Sequence, residues 1–176
     1  MHIKKSIVFA SLLLALFSAR ADNNFMQGLG ERFKIEPSDS GYLANQFQFD
    51  IFGSYATRGR SGEDDSKLGI GGGAAYFFTR NLGVDVHTYA DAFKVPYNIN
   101  FSGIYRYPIQ GTAFAPYVFG GFGRQWEFAP QWLFHFGLGG EFRLNTRTGL
   151  FLDWRRVFAM ETEDYHLFRF GVRLGF

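Results

Sequence analysis

Eight stretches of this chain alternate, residue by residue, between an apolar face and a mixed, often charged face. Successive side chains point to opposite sides only in an extended strand, so a period of two sustained over about ten residues predicts a strand with one apolar face. In the first stretch Phe47, Phe49, Ile51, Gly53 and Tyr55 alternate with Gln46, Gln48, Asp50, Phe52 and Ser54. In the second, Leu68, Ile70, Gly72, Ala74 and Tyr76 alternate with Lys67, Gly69, Gly71, Gly73 and Ala75. Leu82–Ala90, Tyr97–Arg106, Trp132–Leu144, Leu150–Arg155 and Phe168–Phe176 follow the same rule. Phe114–Trp126 is ambiguous: Tyr117, Phe119, Gly121 and Gly123 share one face, but Val118 and Phe122 on the other are apolar too. Turn signals such as Thr79–Asn81, Pro108–Ala113 and Asn145–Thr148 join neighbouring stretches as hairpins.

Composition narrows the choice further. The 176 residues include 23 Phe, 9 Tyr, 3 Trp and 22 Gly, all poor helix formers, which argues against a helical bundle. There is no Cys, so disulfides, Cys-based zinc sites and Cys nucleophiles are excluded. A formal net charge of +2 is too small to suggest nucleic acid as a partner.

Residues 1–21, MHIKKSIVFASLLLALFSARA, predict a cleaved export signal: basic Lys4 and Lys5, an apolar Ile7–Phe17, then Ala19-Arg20-Ala21 as a cleavage site. Cleavage after Ala21 removes three of the 18 basic residues against 16 acidic ones, leaving a mature chain near −1. Residues 22–44 show no clean period and are expected to be an N-terminal extension. Pro37–Gly41 forms a linker or turn, and Phe25, Met26, Leu29 and Phe33 could line a short amphipathic turn.

Periodicity alone does not tell a soluble sandwich from a membrane barrel, in which apolar residues face lipid and polar ones the lumen. Three features favour the barrel over 45–176. Most stretches run about 10 to 13 residues, enough to cross the hydrocarbon layer when tilted. Aromatics gather in two belts, with Tyr76, Phe78, Tyr105, Tyr107, Tyr117, Phe142 and Phe176 at one end and Tyr55, Trp126, Trp132, Trp154 and Phe158 at the other. One set of connections is mostly short, whereas the other holds the charged Thr57–Ser66 and the acidic Glu161–Asp164.

These segments carry a resemblance. The terminal Phe168-Arg169-Phe170-Gly171-Val172-Arg173-Leu174-Gly175-Phe176, together with YFFTRNLGVDV and APYVFGGFG, resembles the small eight-stranded outer-membrane barrels, the OmpA/OmpX-like and opacity-protein-like families. The resemblance implies a monomeric all-β, eight-stranded antiparallel up-and-down transmembrane barrel in the outer membrane. It implies contact with outer-membrane lipid and lipopolysaccharide. It also implies assembly machinery that recognises Phe168, Phe170, Val172, Leu174 and Phe176. Some relatives append a peptidoglycan-binding domain, which is not expected in a chain ending at Phe176.

An eight-stranded barrel has an interior that side chains can fill. The residues expected there are Asp50, Lys67, Asp85, His87, Asp91, Arg106, Arg124, His135, Glu141, Arg143, Asp153, Arg155, Arg169 and Arg173. Both signs are present, as a plugged lumen held by ion pairs requires. A narrow pore would favour anions, because Arg is in excess. The lipid A 3-O-deacylase family, which also uses eight strands, places a His two residues from a Ser. Here His87, His135 and His166 have no such Ser, and no nucleophile–base pair is obvious. Glu63-Asp64-Asp65 and Glu161, Glu163 and Asp164 match no calcium-loop spacing. Arg156 is expected to face outward near the outer rim, within reach of a lipid phosphate. The GxGGG of Gly69–Gly73 lies within a strand and makes no phosphate loop. No cofactor or metal is expected. The expected role is non-enzymatic: structural, or surface interaction through the loops. The alternatives are the pore, a lipid-modifying enzyme and a soluble lipocalin-like binder.

Overall fold

The computed structural model describes residues 41–58, 66–91, 98–126 and 130–176, except for the side chains of Arg58 and Asp91. The expected export signal, residues 22–40 of the extension, Glu63-Asp64-Asp65 and the Asp91 side chain lie outside the described residues.

Eight strands follow one another: β1 (Gln46–Arg58), β2 (Ser66–Phe77), β3 (Leu82–Asp91), β4 (Asn98–Arg106), β5 (Phe114–Gln125), β6 (Gln131–Arg143), β7 (Thr148–Ala159) and β8 (Tyr165–Gly175). Each pairs antiparallel with the next, and β8 pairs with β1, closing the barrel. Closure leaves no row of unpaired backbone groups, the condition for a sheet to sit in lipid. The register is staggered. Following partners from Gln46 through Phe77, Gly83, Ile104, Phe119, Gly137, Arg155 and Leu167 leads back to Ala56, ten residues further along β1. Such a shear tilts the strands by roughly 40° to the barrel axis.

The faces are sorted inside out relative to a soluble protein. Ile51 is 63% exposed, Leu68 70% and Phe170 60%, while Asp50 is 3% and Arg173 1% exposed. The wall is therefore apolar and the interior charged, as in a transmembrane barrel. Small residues on the inner face make room for large ones: a Cβ on Gly71 would meet the Phe52 ring.

Turn chemistry fixes the tight end. Thr79 Oγ1 accepts from the amides of Asn81 and Leu82 at 3.2 and 2.9 Å. Asn145 Oδ1 accepts from those of Arg147 and Thr148, both at 2.8 Å. The expected contrast in loop length is smaller than the sequence suggests. Thr57 pairs with Ser66 inside the sheet, so the β1–β2 connection shrinks to 59–65. That is no longer than the 107–113 turn at the opposite end. Cross-strand pairing of small and β-branched residues extends the ladder beyond the point where polarity alone would end it.

The charged lumen as candidate functional site

The inward phase of the strands stacks side chains in tiers along the barrel axis. At the end carrying the 78–81, 107–113 and 144–147 turns, Tyr42 folds into the mouth and is buried. Its hydroxyl proton lies between the carbonyls of Ala113 and Glu141, at 3.0 and 2.9 Å. Burial, and then the negative charge of Glu141, push the Tyr42 phenol well above its usual range, so it remains a donor. Arg106 and Arg143 flank its ring, with guanidinium carbons 5.0 and 5.1 Å from the centroid. Arg106 also caps the Phe77 ring at 3.5 Å and donates to the carbonyl of Arg80 at 2.7 Å. Arg143 Nε lies 2.6 Å from Glu141 Oε1.

The next tier is organised by two guanidinium clamps from β8. Arg173 grips Asp50 with Nε and Nη2, at 2.9 and 3.0 Å, and donates Nη1 to Glu141 at 2.8 Å. Arg169 grips Asp153 with Nε and Nη2, at 3.0 and 2.6 Å, and Tyr117 donates its hydroxyl to the same carboxylate at 3.0 Å. Two-pronged pairing of this kind fixes geometry as well as charge. The Arg169 guanidinium carbon lies over the Phe52 and Phe151 rings, and that of Arg173 over the Phe151 ring.

Above the clamps, Arg155 donates to His87 Nε2 at 2.6 Å, so the imidazole proton sits on Nδ1 and is given to Asp85 at 2.9 Å. His135 Nε2 lies 2.9 Å from Ser102 Oγ. The far end is capped by apolar and phenolic side chains: Tyr89 against Tyr165, their hydroxyls 2.5 Å apart, with Leu133, Val157 and Leu167.

Most of the sequence-predicted residues come together here: Asp50, Asp85, His87, Arg106, His135, Glu141, Arg143, Asp153, Arg155, Arg169 and Arg173 are buried inside. Lys67 is on the same phase but half-exposed at the rim. Two assignments on β5 are overturned. Arg124, expected in the lumen, is on the outer wall over the Trp132 ring. Tyr117, expected in an interfacial belt, is buried in the lumen. Both follow from the phase of a strand apolar on both faces. Sequence reasoning also missed the Ser102–His135 pair, because 33 residues separate them and only the β4–β5–β6 register brings them together. That pair does not form a catalytic triad. Both groups are buried, His135 Nδ1 has no hydrogen-bond partner, and the nearby Asp85 is committed to His87. Among the described residues no group of three or more His, Asp or Glu is placed to hold a metal ion.

No protein-family model matches the chain, and no curated protein matches it in sequence. Its fold does match solved structures. The crystal structure of Neisserial surface protein A superposes with a TM-score of 0.60 at 16% identity, covering 74% of this chain and 97% of that one. The N-terminal β-barrel domain of OprF from Pseudomonas aeruginosa superposes with a TM-score of 0.57 at 18% identity, covering 76% and 98%. A de novo designed transmembrane β-barrel superposes with a TM-score of 0.58 at 16% identity, covering 76% and 97%. That a designed sequence matches as well as natural ones locates the likeness in strand number and closure. The fold is that of the small eight-stranded transmembrane barrels.

Proposed function

We propose that this chain is a structural barrel of the bacterial outer membrane, with a lumen closed to ions and no catalytic activity. One observation carries the reading: the interior is occupied by paired charges in consecutive tiers, from Tyr42 at one mouth to Tyr89 and Tyr165 at the other. An ion crossing it would have to separate Arg173 from Asp50 and Glu141, then Arg169 from Asp153. Each step would leave buried charges without partners.

The envelope location is supported by the apolar wall and by the fold it shares with barrels such as Neisserial surface protein A. The end that carries the 78–81, 107–113 and 144–147 turns, with the start of β1 and the end of β8, is assigned to the periplasm, the side of the short turns in such barrels. The β8 ridge of Phe168, Phe170, Val172, Leu174 and Phe176 is the surface that assembly machinery would engage, and outer-membrane lipid is the main partner. A scaffold is favoured over an adhesive role because no connection between strands exceeds seven residues. Loops of that size offer little area to a protein partner.

Planar-bilayer recording tests the closed lumen. Protein that migrates faster unboiled than boiled in SDS, and is therefore folded, should give no stable conductance steps. Regular anion-selective steps from that material would overturn the reading and favour the pore, for which the excess of lumen Arg is the supporting observation.

A further inference from the structure

Arg155 on β7 stands apart from the other buried arginines of the lumen. It is 1% exposed, and its hydrogen-bond partner among the described residues is His87 Nε2, at 2.6 Å. That partner is a neutral imidazole, because its proton sits on Nδ1 and is given to Asp85. Nε and Nη2 of Arg155 are buried and have no acceptor among the described residues. In Arg169 and Arg173 the same two nitrogens form the edge that grips a carboxylate, Asp153 and Asp50 respectively. Arg155 brings this edge to no carboxylate among the described residues.

A second cation lies beside it. Arg155 follows Asp153 by two residues on the same inward face of β7, and Asp153 pairs in register with Arg169. The guanidinium carbons of Arg155 and Arg169 lie 4.7 and 6.0 Å from the centroid of one ring, that of Phe119. Arg169 Nη1 is also buried without an acceptor among the described residues. Three guanidinium nitrogens in this tier thus lack acceptors, against one carboxylate oxygen, Asp85 Oδ1, that lacks a donor. A water molecule would accept from two of them but bring two donors of its own, whereas an anion only accepts. Charge points the same way. Among the described residues the lumen buries five arginines against four carboxylates. A guanidinium does not shed its proton to escape burial, so the excess charge needs a partner.

We infer that the folded lumen encloses one small monatomic anion, chloride in ordinary salt, seated on the Nε–Nη2 edge of Arg155 with Arg169 Nη1 as a further donor. A single atom is the size that fits, because side chains fill the interior of an eight-stranded barrel. The ion is enclosed rather than conducted. The Arg173 and Arg169 clamps close the lumen on one side and the Tyr89–Tyr165 cap closes it on the other. The ion therefore enters as the barrel folds and leaves when it unfolds. It supplies the negative charge by which the buried carboxylates fall short of the arginines. The inference rests on the closed-lumen reading above.

Refolding from urea into detergent, in sodium bromide or in sodium gluconate, tests it. Free ion is removed by gel filtration in gluconate, the barrel is opened by boiling in SDS, and the released bromide is counted by ion chromatography. Wild type refolded in bromide is expected to release it in stoichiometric amount. Its thermal midpoint in the gel shift should also be higher in bromide than in gluconate, because the ion binds the folded state alone. Arg155→Met should keep the gel shift, release no bromide and have the same midpoint in both salts. Arg155→Lys keeps the charge but not the two-pronged edge. It should release less bromide than wild type, and it serves as the test if Arg155→Met does not fold. No bromide released from wild type that also shows no conductance steps would overturn the site, with water left to fill the tier. Stoichiometric release surviving in the folded Arg155→Met variant would overturn its placement on Arg155. Bromide that washes out of wild type together with regular conductance steps would instead overturn the closed lumen, and the enclosed ion with it.

Discussion

At the scale of single residues, Arg173 is the side chain on which most of the lumen depends. It satisfies Asp50 and Glu141, which lie 123 and 32 residues away in sequence. Replacing it by Ala leaves Asp50 buried without its cation and Glu141 with Arg143 alone. The expected cost is about 3–5 kcal/mol, the range for breaking a buried pair by removing one partner. Urea unfolding in detergent micelles measures it. Adding Asp50→Asn to that variant should recover part of the loss, because the uncompensated charge goes with it, whereas Glu141 keeps its pair with Arg143. Ser102 makes the opposite prediction. Its hydroxyl is near His135 but sealed in, so fluorophosphonate reagents should leave the folded protein unlabelled. Stoichiometric labelling at Ser102 would reopen a hydrolytic role. Both environments were half legible: alternation put Asp50, Glu141, His135 and Arg173 on inward faces, but nothing local says which of them meet.

Among elements, the instructive cases are β5 and the short segment before β1. In β5 the inward Tyr117 and Phe119 are as apolar as the outward Val118 and Phe122, so hydropathy has no contrast from which to set the phase. The neighbours set it. Tyr117 must face inward to reach Asp153, and Arg124 is carried outward with the same phase. Residues 41–45 lack any period, yet Gly41, at φ +66 against the backbone of Thr146, turns the chain so that Tyr42 enters the mouth. Tyr42→Phe should cost about 1 kcal/mol, the worth of a typical hydrogen bond. Tyr42→Ala should cost about 3–5 kcal/mol through the cavity between Arg106 and Arg143. Neither should create conductance, because the Arg173 and Arg169 clamps lie further in. Thermal midpoints from the boiled-versus-unboiled gel shift, read beside bilayer recordings, check both statements. A Tyr42→Ala variant that conducts would make Tyr42 the gate and the inner clamps leaky.

For the whole molecule, closure is the property that matters. Every strand has two hydrogen-bonded neighbours, so local opening has no free edge from which to start. The protein should therefore stay folded in cold SDS and unfold in one cooperative step on heating, seen as two discrete gel bands with no intermediate smear. A smear, or a single mobility at all temperatures, would contradict a closed ring. The sequence by itself determined that there are eight strands and which residues share a face in most of them. It also determined that the apolar face is too aromatic and the strands too long for an ordinary soluble sheet. These follow from the period of two, a local consequence of backbone geometry. Only the tertiary structure decided the ten-residue stagger and the phase of β5. It alone decided the entry of Tyr42 into the mouth, the partners of each buried charge, and the meeting of Arg156 with His166 on the outer wall. Those depend on where strands far apart in sequence come into register, and that offset is set only when β8 closes on β1.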